Sequence, residues 1–327
     1  MQQNRDADYA AVSAALHARE ARLLTQAMAG RMIDADTPEE SCKTLLECGY
    51  APLESCTLEH VERALSQARA ALYREVSVLA PDKRIVEIFQ IKYDYHNAKL
   101  ALKAKRSGEE VSRLAMDCGR FDAQKVLRYE SGALSAAMSR AMEQAEKEAG
   151  HSGDLRMAEL LLDRACYEEM SALANETGST FLKDYVALQI DAINLRTLVR
   201  AQRMGCEDEI LAAAMLPGGL MFPTQLKGAR GDHLTALTHG TPLSAAGELA
   251  AKLLDGGGSL TEFERACDDA LMTFLQRARR TPFGPEVVVG YLGAKEAEFT
   301  AVRTILSGKI AGLNAEDIRA RLRMSYL

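Results

Sequence analysis

Tryptophan is absent from this chain, and the other aromatic residues are few, 8 Phe and 10 Tyr among 327 positions. Alternating runs of Val, Ile and Thr are scarce, which leaves little from which to build the half-buried strands of a sheet. The longest near-apolar stretch, Leu211 to Phe222, is interrupted by Pro217, Gly218 and Gly219, so it is too short and too broken to span a bilayer. Gln2 to Asp8 is polar and charged, unlike a secretory leader. Membrane contact must therefore run through another protein or be superficial. The seven cysteines (Cys42, Cys48, Cys56, Cys118, Cys166, Cys206 and Cys267) include no CxxC pair, which reads as reduced thiols of a cytoplasmic protein without a metal site.

Catalytic signatures are missing as well. There is no HExxH, and no phosphate loop of the GxxxxGK[ST] type. Gly308-Lys309 lacks both the earlier glycine and a following Ser or Thr. His233 and His239 stand six apart in a glycine-rich stretch and read as loop histidines. Asp268-Asp269 would need further acids one turn on to hold magnesium, but Met272 and Thr273 stand there, which leaves a solvated helix face. The net charge of −6 is spread along the chain with no basic face, so a nucleic-acid footprint is not supported. No residue is assigned to catalysis, cofactor or metal.

What is present is helix-forming. Hydrophobic residues make up 47% of the chain, enough for one large core or several smaller ones. Ala, Leu, Glu and Arg dominate, and they lose little side-chain freedom in a helix. Start signals recur at Thr37-Pro38-Glu39-Glu40, at Ser259-Leu260-Thr261-Glu262 and at Asn314 to Asp317. Breaks fall at Ala80-Pro81-Asp82, Gly150 to Gly153, Asn175 to Ser179, Pro217 to Gly219, Gly228 to Gly231, Gly256 to Gly258 and Thr281 to Pro285. An all-α array of ten or more helices is predicted.

The most informative feature is internal repetition. Ile88, Ile91, Tyr95, Ala98 and Leu102 follow a 3-4-3-4 spacing along one side of a helix. A shift of 97 residues (191 − 94) gives Tyr185, Leu188, Ala192, Leu195 and Val199. A shift of 204 (298 − 94) gives Leu292, Lys295, Phe299, Val302 and Leu306. At the same shifts an acid recurs as Asp94, Asp191 and Glu298, a base as Lys99, Arg196 and Arg303, and a glycine as Gly108, Gly205 and Gly312. Upstream, Val61 to Leu65, Ala158 to Leu162 and Phe263 to Cys267 form a second repeated helix. The pattern predicts three similar helical bundles, residues 1–108, 109–205 and 206–327. Repetition alone allows either a pseudo-threefold closed body or a solenoid.

The repeated acids and bases have two readings. An acid and a base five residues apart lie about 140° apart around a helix, so they do not pair with each other. They either fix the packing between bundles or line a partner interface. The basic run Lys99, Lys103, Lys105 and Arg106, echoed by Arg196, Arg200 and Arg203, reads as charge matching the helix dipole or as contact with an acidic partner or lipid headgroups.

The repeated helices also carry a family resemblance. YDYHNAKLALKAK (Tyr93 to Lys105) and DAINLRTLVRAQRMG (Asp191 to Gly205) resemble the signature helix of the C subunit of the V-type/A-type rotary ATP synthases, called d in the vacuolar enzyme. The match is fullest from Gly284 to Leu327: Gly284-Pro285-Glu286, Tyr291-Leu292, Ala294-Lys295-Glu296, Arg303-x-Ile305-Leu306, Gly308-Lys309, Gly312-Leu313, and Ile318-Arg319 to Leu322. It extends from about Tyr9 to the end and is loosest over the glycine-rich Pro217 to Gly258. The resemblance implies a funnel of three bundles in pseudo-threefold arrangement. It implies a non-catalytic central-stalk subunit at the cytoplasmic face of the membrane. Its partners would be the stalk subunits of the catalytic head and the membrane rotor ring, and any membrane association would be indirect. No cofactor is implied. The alternative is a helical-repeat adaptor of an unrelated complex; an all-α metal enzyme is a more distant third, given the lone acidic pair.

Overall fold

The computed structural model describes residues 7–153, 155–206 and 208–327. Among them every regular element is helical. In chain order the α-helices begin with α1 (Ala10–Glu20), α2 (Gln26–Asp34), α3 (Pro38–Glu47), α4 (Leu58–Leu79) and α5 (Arg84–Ser107). There follow α6 (Ala123–Leu127), α7 (Ala136–Ser152), α8 (Leu155–Thr177), α9 (Thr180–Met204) and α10 (Asp208–Ala214). The glycine-rich segment holds α11 (Pro223–Leu226), α12 (Gly231–Thr238) and α13 (Ser244–Leu254), and the chain ends with α14 (Leu260–Gln276), α15 (Pro285–Ile310) and α16 (Ala315–Arg321). None of the described helices is long and apolar enough to cross a membrane.

The predicted start signals act as caps. Thr37, Ser259 and Asn314 each accept the backbone N–H three residues on, from Glu40, Glu262 and Asp317, which satisfies a donor that the first helical turn leaves orphaned. Gly108, Gly205 and Gly312 follow the three long helices with φ of +72°, +64° and +72°. That left-handed conformation is open to glycine without the penalty a side chain brings. The predicted break at Gly150 to Gly153 falls at its last residue: α7 continues through Gly150 and stops at Gly153, whose φ is +70°.

The chain forms two compact units. One joins the residues up to Val86 to Ser259–Leu327. Its axis is α15, which packs against α1, α2, α3, α4 and α14. Its first half is apolar and buried all round, from Val287 to Ala294, as a helix enclosed by others must be. The other unit is Glu87–Gly258. Here α7 and α8 pack along each other, and α9 lies against α8, α10, α11 and α13. Phe89 of α5 stacks on Tyr185 of α9 at 5.8 Å.

The stripes predicted from periodicity are the buried faces of α5, α9 and α15. All fifteen positions except Lys295 are buried. Each large apolar side chain so placed contributes about 1.5–3 kcal/mol relative to exposure.

Candidate functional site

The three repeated acids lie on these buried faces. Asp94, Asp191 and Glu298 are 0%, 3% and 5% exposed. A carboxylate so enclosed must find donors, and each finds them in backbone.

On α5, Asp94 Oδ1 accepts the N–H groups of Arg120 (2.9 Å) and Phe121 (3.2 Å). Its Oδ2 accepts Arg120 Nε at 2.6 Å, and Arg120 also reaches Glu169 at 3.0 Å. Three residues on, Asn97 clasps Met116 twice: Nδ2 donates to the Met116 carbonyl and Oδ1 accepts its N–H, both at 2.9 Å. On α9 the arrangement recurs. Asp191 accepts Leu220 and Met221 N–H at 3.0 Å each. Asn194 donates to the Leu216 carbonyl at 2.8 Å and accepts its N–H at 2.7 Å. In both cases an i, i+3 pair on one helix face holds a segment that lies 19 to 30 residues further along the chain.

On α15, Glu298 accepts Leu24 N–H at 2.8 Å and the Tyr50 hydroxyl at 2.6 Å, and it pairs with Lys295. Its loop therefore comes from the start of the chain. Ala301 stands where the other two helices carry Asn97 and Asn194.

Length and space are matched in each clasp. A Cβ on Gly119 would lie 2.2 Å from Asp94 Oδ1, and one on Gly219 2.1 Å from Asp191 Oδ1; no side chain fits there. The residue preceding the donor at Glu298 is Leu23. The longer glutamate reaches its donor from one methylene farther away, so the loop need not approach so closely.

Burial pushes the Asp94 carboxyl up to about 6, with Arg120 opposing, and the Asp191 carboxyl up to about 6, with the Met221 and Leu220 N–H groups opposing. Burial, then the charge of Glu298, raises the Tyr50 hydroxyl.

Two members of the basic column, Lys99 and Arg303, meet acids of the same chain. Lys99 pairs with Asp163, Lys103 with Glu159 at 2.7 Å and Lys105 with Glu146, so the basic run of α5 faces α7 and α8. Arg303 pairs with Glu62 of α4 at 2.5 Å. Arg196 is half-buried on α9.

Asp268-Asp269 differs from its reading as a solvated face. Asp268 pairs with Arg323 at 2.6 Å and Asp269 accepts Met324 N–H at 2.7 Å, so both tie down the C-terminal segment. His233 and His239 are exposed. Among the described residues no group of three or more His, Cys, Asp or Glu is placed to hold a metal ion.

The asparagine clasps and Gly119 were not singled out from sequence, and Gly219 only as part of a break. Their signal is present in retrospect: D-x-x-N at 94/97 and 191/194, followed by Gly119 and Gly219.

Comparison with known proteins agrees with the resemblance. The chain matches the family described as ATP synthase (C/AC39) subunit over residues 12–321. It is 24% identical to the C subunit of the V-type sodium ATPase of Enterococcus hirae, over 98% of this chain and 99% of that protein. It is 24% identical to the C subunit of the A-type ATP synthase of Methanocaldococcus jannaschii, over 97% and 86%. It is 27% identical to the C subunit of the V-type ATP synthase of Thermus thermophilus, over 93% and 94%. The chain belongs to the ATP synthase (C/AC39) subunit family.

Proposed function

We propose that this member of the family is a non-catalytic central-stalk subunit of a V-type/A-type rotary ATPase or ATP synthase. In this role it couples the stalk subunits of the catalytic head to the membrane rotor ring during ion transport. The family match over residues 12–321 carries the reading. Relatives that are C subunits of such enzymes, matched along nearly their whole length, support it. Its place is peripheral, at the cytoplasmic face of the membrane, held there by the ring.

A torque coupler must be stiff, and helices packed at crystal-like density are. We assign residues 1–108, 109–205 and 206–327 to three similar bundles in a pseudo-threefold, funnel-like body. The threefold recurrence of a buried acid clasping backbone supports three similar units, each acid reaching a segment of another: Asp94 to Arg120, Asp191 to Met221 and Glu298 to Leu24. Asp94, Asp191 and Glu298, with Lys99, Arg196 and Arg303, serve packing between helices and loops in this reading.

The test is assembly. The purified chain is mixed at low salt with the stalk subunits of its own complex and with the detergent-solubilised rotor ring, and co-elution is followed. Binding to both, with no ATP hydrolysis by the chain alone, is expected. Failure to bind either partner overturns the proposal.

A further inference from the structure

The first compact unit contains an open groove of about 760 Å³. Its floor is made of small residues, Ala29 and Gly30 of α2 with Ala297 and Ala301 of α15, and one wall is the extended C-terminal segment Leu322 to Leu327. Its volume falls within the roughly 300–1,000 Å³ typical of ligand pockets.

The groove lies where the repeat predicts a filled face. Ala301 occupies the position of Asn97 and Asn194 (298 + 3, 94 + 3, 191 + 3). On α5 and α9 those asparagines grip the main chain at Met116 and Leu216, and a loop segment lies against the helix. On α15 the asparagine is missing, and no described residue before Leu23 lines the groove. A face that carries polypeptide twice is left open the third time. At Ala29, Gly30, Ala297 and Ala301 the lining has no side chain larger than a methyl, which lets a backbone approach closely there.

Charge selects the occupant. Four guanidiniums line the groove: Arg265, Arg319, Arg321 and Arg323. Arg319 is neutralised by Asp34 and Arg323 by Asp268. Arg265 and Arg321 have no carboxylate partner among the described residues. The acids in the lining are already engaged: Asp269 by Met324 N–H, and Glu298 by Leu24, Tyr50 and Lys295. Asp269 keeps its charge, since a backbone N–H does not neutralise it, and Arg265 and Arg321 remain as two planar donors without a carboxylate partner, the geometry that grips carboxylates.

We propose that this groove binds an extended, acidic segment of a partner protein, seated on Ala297 and Ala301 and held by Arg265 and Arg321. The inference stands whether or not the chain couples rotation.

The experiment is fluorescence anisotropy with the full chain and a fluorescein-labelled octapeptide alternating Glu and Ala, with the Lys/Ala octapeptide and tripolyphosphate as comparators. Variants are Ala301→Phe, which fills the floor, and Arg321→Glu, whose side chain is exposed and whose replacement leaves the core alone. The expected result is saturable binding of the acidic peptide alone, weakened by salt and reduced by about tenfold or more in each variant, a loss of roughly 1.4 kcal/mol. Unchanged circular dichroism and melting confirm that the variants fold. Three outcomes overturn the proposal: no saturable binding, binding that both folded variants retain, or displacement by tripolyphosphate with Ala301→Phe silent, which marks a small-anion site. Self-association that the variants abolish, with no peptide bound, also overturns it by making a second copy the occupant.

Discussion

The clasp at Asp191 makes a quantitative prediction about Gly219. Replacing Gly219 with Ala puts a Cβ 2.1 Å from Asp191 Oδ1, 2.9 Å from Cγ and 3.2 Å from Ile190 Cγ2. The loop must withdraw, and the Leu220 and Met221 N–H bonds to the carboxylate, 3.0 Å each, lengthen or break. Each buried donor left unmet costs about 1–3 kcal/mol, so Gly219→Ala should destabilise by about 2–4 kcal/mol. Asp191→Ala removes the acceptor and should cost a similar amount, partly offset because burying the carboxylate is itself unfavourable. In the double variant only the 3.2 Å approach to Ile190 Cγ2 remains. Gly219→Ala should therefore cost under about 1 kcal/mol in the Asp191→Ala background, a coupling of about 2 kcal/mol in the double-mutant cycle. Urea denaturation followed by far-UV circular dichroism measures all four corners of the cycle. Equal costs of Gly219→Ala in both backgrounds would refute the close approach as the reason for glycine.

Side-chain length is the second test: Asp191→Glu overpacks its clasp and Glu298→Asp falls short of Leu24 and Tyr50, so each should lower stability by about 1–3 kcal/mol in urea. Neutral swaps at both sites would remove the length argument. The pH dependence follows from the Asp94 and Asp191 carboxyls, raised from 3.8 to about 6 in the fold. Between pH 4 and 6 the folded chain holds protons that the unfolded chain has released, so their contribution to stability declines as pH rises through that window. Asp191→Asn does not titrate, so the stability gap between wild type and this variant should narrow from pH 4 to pH 6; a constant gap refutes the shift. Cys42 and Cys56, with Sγ atoms 2.7 Å apart, should close into an intramolecular disulfide under diamide. The product should migrate faster on a non-reducing gel, and Cys56→Ser should abolish it. Finally, a circular permutant beginning at Ser259, with a ten-residue linker from Leu327 to Met1, should be as stable as the parent or more so. The Glu298–Leu24 contact, separated by 274 residues in the chain, would then close a loop of roughly 60, a gain of about 1 kcal/mol by loop entropy. Unfolding at markedly lower urea would argue against the compact unit that joins the two ends of the chain.

The sequence revealed the helices because their physics is local. A 3.6-residue period places Ile88 to Leu102 on one face, and Thr37, Ser259 and Asn314 each bind an N–H only three residues away. It revealed the repeated acids too, but not their partners. Nothing periodic marks Arg120, Leu220 or Leu24 as donors, since a loop that offers its backbone can carry almost any side chain. The partners of Lys99 and Lys103, Asp163 and Glu159, were hidden for a related reason: acids on an amphipathic helix look alike until the neighbouring helix is placed. Asp268-Asp269 was misread because its partners, Arg323 and Met324, lie some 55 residues on.

The same reasoning explains why a sequence repeat need not be a packing unit. On α5 and α9 the buried acid holds a segment that follows its own helix, past the glycine that ends it. On α15 the donor comes from elsewhere: Glu298 turns to Leu24, before the first repeated helix. The pairing chemistry is kept, acid to backbone N–H, while the covalent path between the two groups changes completely. Asp goes with Gly at two sites and Glu with Leu at the third. Acid length and loop approach therefore vary together because both answer to one requirement: the distance at which a buried carboxylate meets its donors. A buried charge tolerates a changed connection, but not a missing donor.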